Sequence, residues 1–173
     1  MRSLILTAAL ALGFVLLPTA PPISAGPEMV VFPSSAQRSV LYSEVDRPDL
    51  KQVRHLFAAP ETARSAKPGA PLSAGAVLTM EIYAARADDR GEPLRDGSGR
   101  LVRGDLTAVF VMEKRAGWGA AYPDDLRNGE WEYARFTADG RPGPADTRAC
   151  LACHKPKADQ DYVFSSDKLI GAR

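Results

Sequence analysis

The stretch RACLACHKP, residues 148–156, holds both cysteines of the chain, Cys150 and Cys153, and one of its two histidines, His154. Two thiols and an imidazole in the order Cys-x-x-Cys-His form a compact donor set. Sulfurs at this spacing can each add across one of the two vinyl groups of a haem. The histidine that follows is then held beneath the ring, where a ring nitrogen can bind iron. The spacing predicts one covalently attached c-type haem, with Cys150 and Cys153 as its anchors and His154 as the proximal iron ligand.

Other chemistries suit these residues less well. Tetrahedral zinc wants about four nitrogen, sulfur or carboxylate ligands, and the only other residue of the Cys/His type is His55. A thioredoxin-like redox pair follows an early strand, whereas this cluster lies in the last quarter of the chain. A Cys-His nucleophilic pair needs facing side chains, and adjacent residues point apart. A disulfide between the two cysteines would close a tiny loop and constrain the unfolded chain very little.

The N-terminus supplies the compartment. Arg2, an apolar run from Leu4 to Leu17 and a small-residue exit at Ile23-Ser24-Ala25 have the three-part layout of a secretory signal peptide. About 14 apolar residues ended by Pro18 are too few to span a bilayer, which takes about 20. Cleavage after Ala25 is expected, with residues 26–173 as a single exported, periplasmic domain and no membrane span in the mature chain. The leader carries one of the 22 basic side chains and none of the 21 acidic ones, so the mature protein is neutral. Such a balance offers no electrostatic footprint for nucleic acid.

Around the cluster, the elements that must position it are read from periodicity. Asp46-Arg47-Pro48-Asp49 has the form of a helix start, and Leu50, Val53, Leu56 and Phe57 follow at helical spacing, predicting a helix to about Ala59. From Val77 to Tyr83 the period changes to two, with Leu78, Met80 and Ile82 facing one way and Thr79 and Glu81 the other. Leu106–Glu113 is a second strand with two apolar faces, Trp131–Phe136 a third, and residues 88–104 a long polar connection. The expected fold class is α+β, mainly antiparallel β: a small sheet-based domain with a few short helices and the haem motif near its C-terminus.

Two residues are candidates for the other side of the iron. His55, off the apolar stripe of the predicted helix, reads first as a solvated histidine. Met80 reads either as core packing on its strand or as a residue beside the haem, where a thioether can bind iron and raise the potential. Met112 reads as core. Glu81 and Glu132, the carboxylates that could move protons, read as strand-surface residues.

The wider chain carries a resemblance. Gly75–Ile82, Val111–Arg115, Trp131-Glu132-Tyr133, and above all CLACHKP followed by Asp161-Tyr162-Val163-Phe164 resemble the cytochrome P-460 family, which includes the beta-sheet cytochromes c-prime. The resemblance runs from about Tyr42 to Phe164. It implies an exported homodimer of mostly antiparallel β structure, with one five-coordinate, high-spin c haem. In the enzymatic members, which oxidise hydroxylamine, a strand lysine is cross-linked to the haem edge; that position falls on Met80, which cannot form the amine cross-link. The non-enzymatic branch binds nitric oxide at an apolar face lined by phenylalanine, for which Phe57 and Phe32 are the candidates. The expected function is therefore binding of a small diatomic ligand, or single-electron transfer with a redox partner protein. Oxidation of hydroxylamine or a related small nitrogen compound is the alternative.

Overall fold

Apolar alternation and reversing turns build one sheet. The computed structural model describes residues 26–144 and 146–172, so the leader expected over 1–25 lies outside it. Five strands, β1 (Val40–Arg47), β2 (Gln52–Ala58), β3 (Val77–Ala85), β4 (Arg103–Lys114) and β5 (Trp131–Thr137), pair as an antiparallel meander in sequence order. Short helices α1 (Pro60–Ser65), α2 (Thr147–His154) and α3 (Ser166–Leu169) complete it. This is the α+β, mainly antiparallel class that the sequence implies.

The central strand β3 is buried on both faces: Leu78 and Ile82 on one side, Thr79 and Glu81 on the other. A second layer therefore covers each face of the sheet. On one, Leu78, Trp131 and Tyr133 pack with Leu151 of α2, Val163 and Leu169. On the opposite face Val77, Val109, Val111 and Phe136 pack with Trp118 and Val30. Two cores on two faces explain why Val109 and Val111 share β4 with the inward-facing Met112.

The helix expected over 46–59 does not form; a β-hairpin stands in its place. Arg47 pairs with Gln52 and Asp46 with Val53, so residues 48–51 are a four-residue reversal. Pro48 opens a single 3-10 turn, and Lys51 closes it in the left-handed region at φ 52°. Asp and Pro start a tight turn as readily as they start a helix. Beyond it, Val53, His55 and Phe57 alternate with Arg54, Leu56 and Ala58, and this period-two pattern wins because β3 lies alongside to satisfy the backbone.

Asp46 fastens this hairpin to the β3–β4 connection. Its carboxylate accepts two hydrogen bonds from the Arg100 guanidinium, at 3.0 and 2.9 Å, and one from the Leu101 amide at 2.9 Å. The Arg100 contact, helped by the amide, holds the Asp46 carboxyl below the usual carboxylate range. A depressed folded pKa contributes stability above the unfolded value of about 3.9 and loses it as pH falls through the folded value. Asp46→Ala is expected to cost about 1–3 kcal/mol at pH 7 and to flatten the acid limb of a stability–pH profile from chemical denaturation. An unchanged acid limb would contradict this clamp.

Candidate haem site

The Cys-x-x-Cys-His motif lies on helix α2, within Thr147–His154. Asp146 caps α2, its carboxylate accepting from the amides of Arg148 at 3.0 Å and Ala149 at 3.3 Å. Leu151, 1% exposed, fixes the helix in the near-face core. Asn128 Nδ2 reaches in to the Leu151 carbonyl at 2.9 Å. Cys150 and Cys153 are both free thiols, and at i and i+3 they lie on one side of α2. His154 ends the helix and faces the same cavity as both thiols.

His154 is oriented by the chain that follows it. Its Nδ1–H donates to the Tyr162 carbonyl at 2.7 Å, which fixes the tautomer and leaves Nε2 with a free lone pair. The ring lies between Tyr133, with centroids 4.9 Å apart, and Phe164, at 5.0 Å edge-on. Burial pulls the imidazole below its usual proton affinity, opposed by the Tyr162 hydrogen bond, so the neutral, metal-binding form is favoured.

Presenting that carbonyl requires an unusual backbone. Asp161 and Tyr162 are both left-handed, at φ 53° and 62°, a conformation costly for side chains of this size. Asp161 holds the corner in place. Its carboxylate accepts from Lys114 Nζ with both oxygens at 2.8 Å, and one oxygen also takes the Leu72 amide at 2.8 Å. The two side chains are only 14% and 10% exposed. Thus the end of β4 grips the loop that aims the histidine. Lys114, Asp161 and Tyr162 carry no chemical signature of their own in sequence; their roles follow from the loop's path.

Between α2 and the near face of the sheet is a cavity of about 660 Å³, within the size range of cofactor sites. Met80 lines it together with Cys150, Cys153 and His154, and so do Leu56, Leu78, Phe110 and Met112. Met80 pairs with Leu56 on one neighbour and Phe110 on the other, so these three form a single row across the cavity wall. Met112, expected in the core, borders the cavity as well as packing against the near-face core.

Other expected residues lie elsewhere. His55 is a buried strand residue on the far face, with Nε2 at 3.1 Å from Glu44 and Nδ1 at 3.3 Å from an Arg103 nitrogen. It is neither solvated nor near His154. Phe57 is beside His55, and Phe32 packs edge-on against Phe136 at 5.3 Å, both away from the cavity. The phenylalanines that line it are Phe110 and Phe164. Glu81 and Glu132 are not strand-surface groups either: both are buried, Glu81 against Arg38 and Tyr83, Glu132 against Tyr122.

Removing one member of the buried Lys114–Asp161 pair leaves its partner charged and unmatched. Asp161→Ala is expected to destabilise the protein by about 3–5 kcal/mol, whereas an exposed ion-pair deletion such as Glu61→Ala should cost under about 1 kcal/mol. Denaturant midpoints compare them directly. Equal small losses would contradict a structural role for Asp161.

A family model described as Cytochrome P460 matches residues 36–165. That span takes in the whole sheet, α2 and the Asp161–Phe164 corner. No curated protein is matched significantly by the chain. The match covers most of the sequence and includes every residue of the cavity wall described above. The chain belongs to the cytochrome P460 family, and is a haem-binding cytochrome.

Proposed function

We propose that the protein is an exported monohaem c-type cytochrome that binds small diatomic ligands, chiefly nitric oxide, or passes single electrons. The observation that carries this is the convergence of two free thiols, a histidine whose Nε2 has no hydrogen-bond partner among the described residues, and a largely apolar wall on one cavity. Attachment needs no oxidant: each thiol S–H adds across a vinyl C=C, forming one C–S bond and one C–H bond. Cys150 and Cys153 anchor the ring, and His154 supplies the iron ligand. When bound, the haem supplies an iron centre for redox change and ligand binding.

The protein's own residues set the terms of that chemistry. Tyr162 fixes the histidine tautomer and raises its basicity. Leu56, Leu78, Met80 and Phe110 exclude water from the ring. Met80 lines the cavity wall with its thioether and would pack beside the haem rather than bind its iron, leaving His154 as the protein's one iron ligand. The hydroxylamine alternative loses support at the same residue, because a thioether offers no amine for cross-linking. Glu81 and Glu132, the carboxylates considered for proton transfer, are committed to Arg38, Tyr83 and Tyr122. A periplasmic setting, a homodimer and a redox partner protein belong to the same proposal.

The purified protein should show an ordinary c-haem ferrous spectrum, without the far-red Soret shift of a cross-linked haem. Its ferric form should be high-spin, and should stay so in Met80→Ala. In the double variant Cys150→Ala/Cys153→Ala, acid-acetone should extract all the haem; in the wild type it should extract none. A low-spin ferric spectrum whose methionine-to-iron band vanishes in Met80→Ala would make Met80 a ligand instead. A red-shifted ferrous Soret band would favour hydroxylamine chemistry.

A further inference from the structure

The cavity carries one cation with no ion-pair partner among the described residues. Arg54 lies on β2 two residues before Leu56, on the cavity side of the sheet, and lines the same cavity as His154 and Met80. Its Nε is buried and makes no hydrogen bond. Its one side-chain bond runs from a terminal nitrogen to the amide oxygen of Gln52, at 3.2 Å. Among the described residues Arg54 forms no ion pair. The other guanidinium bordering the cavity, Arg47, is already engaged by Asp49 through two hydrogen bonds at 2.9 and 2.6 Å.

A half-buried cation without an ion pair is costly and calls for an anion. Burial and repulsion from Arg47 both weaken the hold of Arg54 on its proton, with Asp49 only partly offsetting them. The required partner must enter a largely apolar cavity and present an acceptor to a planar guanidinium. A carboxylate suits that fork. A neutral diatomic ligand carries no charge to match it, whereas a haem carries two propionate carboxylates on one edge.

We propose that Arg54 is an anion-binding residue of this cavity, pairing with a haem propionate. This rests on the haem assignment above. The charged and titratable groups facing Arg54 are Arg47 of β1, Asp49 of the adjoining turn and Cys153 of α2, whose sulfur becomes an uncharged thioether on attachment. Pairing keeps the propionate ionised to lower pH. The guanidinium charge also favours the reduced haem, since reduction removes a positive charge nearby.

The test is the midpoint potential of the holoprotein from about pH 4 to pH 9, with Arg54→Leu and Arg54→Lys beside the wild type. Arg54→Leu should shift the one-electron equilibrium about tenfold toward the ferric state at pH 7, or about 59 mV. Its pH-dependent segment should move to higher pH. Arg54→Lys, which keeps the charge but loses the fork, should fall between them. Superimposed profiles for all three proteins would overturn the proposal. So would a changed cyanide or nitric oxide affinity with an unmoved pH-dependent segment, which would place Arg54 against the iron-bound ligand. Covalent haem is verified first in each protein; if the wild type carries none, the haem assignment fails rather than the role of Arg54.

Discussion

The hydrogen bond from His154 Nδ1 to the Tyr162 carbonyl, at 2.7 Å, is the constraint around which the C-terminal third of the chain is arranged. An imidazole at the end of a short helix can rotate, and either nitrogen can carry its proton. One carbonyl settles both questions and leaves Nε2 directed at the cavity. To deliver it the chain must double back within eight residues and accept two consecutive left-handed side chains. The buried Lys114–Asp161 pair and the Leu72 amide offset that cost, so the histidine's aim is fixed by the end of β4 and the loop before β3. A helix carrying the motif without this corner would hold the sulfurs and leave the imidazole free.

The sheet separates two environments. Its near face offers Leu56, Leu78, Met80 and Phe110 to the cavity, a wall of low polarity in which a neutral imidazole is preferred. The far face holds the ionic residues: Glu44, His55 and Arg103 in one cluster, Arg38, Glu81 and Tyr83 in another. Successive residues of one strand thus meet opposite demands. Arg54 differs from the other cations of the near face: Arg47 is engaged by Asp49 and Lys114 by Asp161, whereas Arg54 has no ion pair among the described residues, and for that reason it marks where an anionic edge belongs.

The legible parts of the sequence were those whose signal is local. The motif at Cys150, Cys153 and His154 names its own chemistry, and the alternation at Leu78, Met80 and Ile82 names its own strand. Residues 46–59 were misleading because Leu50, Val53, Leu56 and Phe57 satisfy a helical spacing while the deciding partner, β3, lies over twenty residues away. The burial of His55, Glu81 and Glu132 was hidden for a related reason: a polar side chain is masked only when a distant partner such as Glu44, Arg38 or Tyr122 is brought to it. Phe110 and Phe164, rather than Phe32 and Phe57, reach the cavity because which face of the sheet a residue joins depends on register, not on its neighbours in sequence. Asp161 and Tyr162 matter through backbone angle and a carbonyl, neither of which residue type reveals.

The proposed site would carry one haem bonded to Cys150 and Cys153. Intact mass spectrometry under denaturing conditions, on protein made in a host with c-type maturation, tests it most directly. A single species with the mass of residues 26–173 plus one haem is expected, with tryptic haem-peptides containing Cys150 and Cys153. A polypeptide at its unmodified mass, with haem lost on denaturation or never present, would contradict it.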